Sequence, residues 1–102
     1  MEDKLLKIIN HYGVMPQLKY FQSEVFELNE AIINRELHWN YDTGIPNIKP
    51  FDEHIAEEIA DVMVMLEQFK LYYGITSEEI TKIFWSKVDR QIERIKNEKE
   101  NK

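Results

Sequence analysis

"EEIADVMVMLEQF", residues 57–69, is the stretch on which the fold turns. Around and within it Ile55, Ile59, Val62, Leu66 and Phe69 recur every three or four residues, the spacing of one apolar helix face. Yet Glu57, Glu58 and Asp61 stand in or beside that face, where an unpaired charge costs several kcal/mol. On a wheel of about 100° per residue, Glu58 borders the apolar stripe, Asp61 lies roughly 60° to its other side, and Met65 falls between them. Carboxylates so placed need a partner.

The same layout occurs upstream. Leu18, Phe21, Val25, Leu28 and Ile32 form a helical stripe, with Glu24 at its border, Glu27 beyond it and Ala31 between the two acids. Glu24-Val-Phe-Glu27-Leu and Glu58-Ile-Ala-Asp61-Val are two copies of one pattern. This second helix is expected from about Gln17 to Asn34 or slightly beyond, with Pro16 at its first turn. Gly44, Pro46 and Pro50 mark residues 35–50 as a long loop. Asp52 is a good N-cap for the third helix, and Gly74 suits its C-terminal end. Thr76 with Glu79 makes a capping box for a fourth helix, whose stripe is Ile80, Phe84, Val88, Ile92 and Ile95. After Ile95 the tail, 96–102, has nothing apolar and is expected to fray. A short amphipathic segment, Lys4 to Tyr12, precedes Gly13.

The expectation is an all-α, antiparallel bundle of three long helices plus a short N-terminal helix. It forms one domain over residues 1–102. A core this small has little reserve, so oligomerisation is expected to complete it.

Composition narrows the function. A net charge of −6 argues against a broad basic surface for nucleic acid. The chain has no cysteine, which removes thiolate metal sites and cysteine nucleophiles and fits a reducing cytoplasm. No signal peptide is visible at Met1–Leu6. The longest apolar run, Val62 to Leu66, is too short for a bilayer. Neither nucleic acid nor membrane is an expected partner, and the expected location is the cytoplasm.

A lone acid pair at i, i+3 is commonly a solvated face. Two matched pairs, each bordering an apolar stripe, are another matter. If helices two and three pack through these stripes, Glu24, Glu27, Glu58 and Asp61 face one another. Four like charges so close must either take up protons or surround a cation. Oxygen-only ligands favour a hard ion, Mg²⁺ or Mn²⁺. Glu30 and Glu57 lie further round their helices and suit supporting or surface roles. On helix four Lys87, Arg90, Gln91 and Arg94 share one stripe. Alone it would be a solvated basic edge; beside a metal it offers phosphate oxygens a planar fork and a point charge.

These residues resemble the MazG-type, all-α nucleoside triphosphate pyrophosphohydrolases. The family pattern, Glu-x-x-Glu on one helix and Glu-x-x-Asp on the next, corresponds to Glu24-Val-Phe-Glu27 and Glu58-Ile-Ala-Asp61. "KVDRQIERI", Lys87 to Ile95, resembles the family's later Lys/Asn/Arg segment, with Gln91 where Asn is frequent. Ser23 stands where many members carry another acid. The resemblance covers residues 12–95. It implies Mg²⁺ held by the four carboxylates, and hydrolysis of a nucleoside or deoxynucleoside triphosphate to the monophosphate and pyrophosphate through a metal-activated water. It makes Glu24 or Glu27 the proton acceptor and brings Lys87, Gln91 and Arg94 to the substrate. It also implies a homodimer or homotetramer.

Among the remaining residues, His38, Trp39 and Tyr41 offer rings that can stack on a nucleobase. Asn10, Tyr12 and Gln17 precede the first acid pair and are candidates to touch the nucleotide. Trp85 suits an intersubunit contact, Met63 and Met65 core filling, and His11 and His54 surface or capping roles. A di-iron carboxylate bundle would need Glu-x-x-His on two helices; the residues three before His38 and His54 are Arg35 and Phe51. The remaining rival is a non-catalytic interaction module whose acids form interhelical salt bridges.

Overall fold

In the structure, a computed structural model, the backbone of residues 2–41 and 49–100 and the side chains of residues 4–38 and 50–100 are described. They form four helices, α1 (Glu2–Tyr12), α2 (Val14–Tyr41), α3 (Lys49–Tyr72) and α4 (Ser77–Glu100). No strand occurs among the described residues. The chain divides into two compact units, Met1–Tyr72 and Tyr73–Lys102.

In the first unit α2 and α3 run antiparallel. Gln17 bonds Gln68, the Phe21 and Phe69 rings meet edge to face at 5.7 Å, and Arg35 pairs with Asp52 at 2.9 Å. Each step forward on α2 is thus a step back on α3. The seam uses Gln17, Phe21, Glu24, Leu28, Ala31 and Arg35 on one helix. Phe51, Ile55, Glu58, Val62, Met65 and Phe69 serve on the other. All twelve are buried or half-buried. Their alternating steps of four and three are a seven-residue repeat, the spacing of coiled-coil seams. Helix α1 lies against both neighbours and anchors itself with Ile9, which is fully buried.

This seam corrects the expected one. Phe21 and Leu28, like Ile55, Val62 and Phe69, belong to two overlapping repeats. One continues through Val25 and Ile32, or Ile59 and Leu66; the other continues through Glu24 and Ala31, or Glu58 and Met65. Apolar count favours the first, but the α2–α3 contact takes the second. Val25 stays 41% exposed and Leu66 50%, so the greasier flank of each ridge is left half open. The acids move from the border of the contact into it.

Helix α2 also runs past Asn34 to Tyr41, and α3 begins at Lys49, so residues 35–41, 49 and 50 of the loop expected over 35–50 are helical; the rest of that expectation lies outside the described residues. Arg35 to Tyr41 contains no glycine or proline. Two contacts hold this extension in register, the Arg35–Asp52 ion pair and the His38 ring at 4.5 Å from Phe51. Pro50 then falls in the first turn of α3, where its missing N–H costs nothing. Asp52 sits inside that turn, favourably placed toward the positive end of the helix dipole.

Gly13 and Gly74 have φ of 91° and 68°. Both are left-handed positions that stop a helix and suit glycine. The Glu79 N–H donates to the Thr76 hydroxyl at 3.1 Å, as the capping box requires. Helix α4 continues to Glu100, past the end of its apolar stripe at Ile95, where fraying is expected. None of its residues is buried. No described helix is long and apolar enough to cross a membrane.

Candidate functional site

The repeat that builds the α2–α3 seam sets Glu24 and Glu58 inside it, 5% and 8% exposed. Glu27, three residues on from Glu24, is exposed at the edge. One oxygen from each of the three carboxylates lies within 4.8 Å of the other two. Glu24 Oε2 and Glu58 Oε2 are buried without any hydrogen-bond partner. Buried acceptors left unmet are rare and costly, more so when the group is anionic.

Burial is the main reason that both carboxyls are pushed above the ordinary value of 4.5. At Glu24 a hydrogen bond from the Tyr20 hydroxyl opposes the rise, while the charges of Glu27, Asp61 and Glu58 add to it. At Glu58 Glu27, Asp61 and Glu57 raise the value, and His54 lowers it. The Tyr20 phenol is itself raised, first by that bond to Glu24. Each buried acid is thus disfavoured as an anion, first by its burial and then by its acidic neighbours. Among the described residues of the first unit, no lysine or arginine pairs with Glu24, Glu27, Glu58 or Asp61.

Asp61 is exposed and stands beside the converging trio rather than within it. Its charge still bears on Glu24, Glu58 and Tyr20. It lines a cleft of about 590 Å³ together with Tyr12, Gln17, Tyr20 and Met65. A second cleft, of about 360 Å³, opens on Glu27, Glu30, His54 and Glu58. The acids are therefore reached from two clefts, and Glu30 lines one of them. Glu57 is exposed.

Two neighbours of the site were not expected there. Tyr20 touches Glu24, and His54, expected in a surface or capping role, holds Nε2 3.8 Å from Glu58 Oε1. Each stands four residues before a buried glutamate. That is the helix spacing at which side chains meet, so the signal was present in the sequence.

Lys87, Gln91 and Arg94 belong to the second unit, where all three are exposed on one face of α4 at i, i+4 and i+7. The side chains of Trp39 and Tyr41 fall outside the described residues. His38 is occupied with Phe51 and the Asn34 carbonyl. Trp85 is 57% exposed, with its ring 5.2 Å from Phe84.

The trio offers only carboxylate oxygens, so the ion that suits it is hard and divalent, Mg²⁺ or Mn²⁺. Such an ion would meet the two orphaned oxygens and reverse the penalty on the buried charges. No family model matches the chain, and neither a curated protein nor a solved structure is significantly similar to it.

Proposed function

We propose that the chain is a Mg²⁺-dependent nucleoside triphosphate pyrophosphohydrolase of the MazG-like kind, releasing a nucleoside monophosphate and pyrophosphate. One observation carries this reading: two glutamates, each more than nine-tenths buried and each with an unpartnered oxygen, converge with a third. The donor set fits the ion. Glu24, Glu27 and Glu58 would hold it, and Asp61 stands beside them on the 590 Å³ cleft. Bound there, Mg²⁺ supplies charge neutralisation for the phosphates and acidifies water.

The chain's own groups do the rest. Glu24 or Glu27 takes the proton lost by the attacking water; Tyr20 keeps the Glu24 carboxylate oriented. Lys87 and Arg94 neutralise phosphate oxygens, and Gln91 adds a neutral hydrogen-bonding group beside them. The interaction-module reading has less support, because it needs interhelical basic partners for the acids: no lysine or arginine pairs with them among the described residues of the first unit, and His54 beside Glu58 is on the same helix.

The test is a panel of ribo- and deoxyribonucleoside triphosphates with Mg²⁺, scored for pyrophosphate against orthophosphate. The expected product is pyrophosphate, with none formed in chelator. Stepwise orthophosphate release, or no turnover of any triphosphate, overturns the reading.

The proposed enzyme is a homodimer or homotetramer. The open flanks of the two ridges, with Val25, Ile32, Ile59 and Leu66 each at least 41% exposed, are the surface a second copy would cover. Light scattering should give a dimeric or tetrameric mass that Leu66→Lys lowers. A monomeric wild-type mass rules this out.

A further inference from the structure

We infer that Gln17 and Gln68 form a hydrogen-bonding reader for the planar heteroaromatic ring of a nucleobase, held in the cleft that they line with Asp61. The inference rests on the reading of the acids as a metal and triphosphate site, and it names the group that the adjoining cleft would take.

Gln17 is 8% exposed and Gln68 1%. The Gln17 amide nitrogen donates to Gln68 Oε1 at 2.8 Å. Both amide nitrogens also lie against Met65 Sδ, at 3.9 and 3.7 Å, and a thioether is only a weak acceptor. Beyond its bond to Gln68, Gln17 thus has a second N–H held only by that weak acceptor and a carbonyl oxygen that no described residue donates to. A carboxamide presents donor and acceptor side by side, the arrangement that bases carry on their pairing edges. Gln68 restricts Gln17 to the orientations that preserve their mutual bond, so the reader is set before a ligand arrives.

The surroundings suit a flat ring. Both glutamines line the 590 Å³ cleft, and Ile8, Tyr12, Pro16, Tyr20 and Val64 supply its apolar and aromatic walls. Such walls with a few fixed polar groups are the usual make-up of a small-molecule site. Bare phosphate would need neither the rings nor the amides. A purely apolar occupant would leave the Gln17 carbonyl oxygen unmet. Tyr20 links the two halves, because it lines the cleft and bonds Glu24. A base seated against Gln17 thus has its sugar and phosphates on the side of the carboxylates.

The experiment follows the ¹⁵N side-chain amide signals of Gln17 and Gln68 in the full chain while the four ribonucleosides, ribose 5-phosphate and inorganic triphosphate are added separately. At least one nucleoside should shift both signals, and the two compounds that lack a base should not. No shift with any nucleoside, or equal shifts with the base-free compounds, overturns the inference. In turnover, Gln17→Met should raise KM for the preferred triphosphate about 10-fold, lower kcat far less and flatten base preference. An unchanged KM and an unchanged preference in a folded Gln17→Met also overturn it. Should that variant not fold, Gln17→Glu tests the same edge with its donors removed. If the wild type hydrolyses no triphosphate, the hydrolase reading fails by itself, and the nucleoside titration still decides the cleft.

Discussion

Asp61→Asn and Glu58→Gln each cut pyrophosphate release roughly 1,000-fold or more, with the helical circular dichroism unchanged. The two changes are nearly isosteric. They remove one negative charge from a cluster whose proposed task is to hold a divalent cation against a triphosphate. Their effects on stability should differ. Glu58 is in the seam with an unmet oxygen and a carboxyl raised by burial, so the metal-free Glu58→Gln chain should melt higher than wild type. Asp61 is exposed, and Asp61→Asn should leave the metal-free melting point close to its starting value. Loss of function together with a gain in stability is the signature of a charge kept for chemistry rather than for folding. An active, well-folded Asp61→Asn would count heavily against the assignment.

The all-helical fold, the breaks at Gly13 and Gly74 and the start of α4 were legible because they depend on local signals. Apolar recurrence at three and four residues, Gly13, Gly74 and the Thr76–Glu79 box each act within a turn or two of chain. The true seam was not legible from apolar count. Phe21 and Leu28 serve two ridges equally well, and only the partner helix decides between the Val25–Ile32 flank and the Glu24–Ala31 flank. The identity of the acids was nevertheless readable, since both pairs repeat one pattern. Their unequal roles were not, since the burial of Glu24 and Glu58 beside the exposure of Glu27 and Asp61 follows from the seam. Tyr20 and His54 precede their glutamates by four residues, outside the i, i+3 span of the acid pattern. The extra turns of α2 through Tyr41 depend on Arg35 and His38 meeting Asp52 and Phe51 from the other helix, a contact with no local mark.

Magnesium and acid should protect the protein in opposite pH ranges. Glu24 and Glu58 are both raised above the 4.5 of a free carboxyl. Between that value and their raised ones the folded chain holds more protons than the unfolded chain. Stability without metal therefore falls as pH climbs through this window and stays low above it, against the usual trend for paired carboxylates. The contribution is fully present below 4.5, where both states are protonated, and lost above the folded values. Mg²⁺ needs the deprotonated oxygens, so it competes with those protons. At about 100 times Kd a ligand bound only by the folded state adds about 2.7 kcal/mol, which for a domain of this size raises the melting temperature by roughly 10–20 °C. That gain should be seen at pH 7.5 and shrink as the pH is lowered toward 4.5. Differential scanning fluorimetry at pH 7.5 and 4.5, with Mg²⁺ and with chelator, reads all four conditions. A melting point that rises steadily from pH 4.5 to 7.5 in chelator, and ignores Mg²⁺ throughout, would mean that the buried carboxylates are already satisfied without an ion.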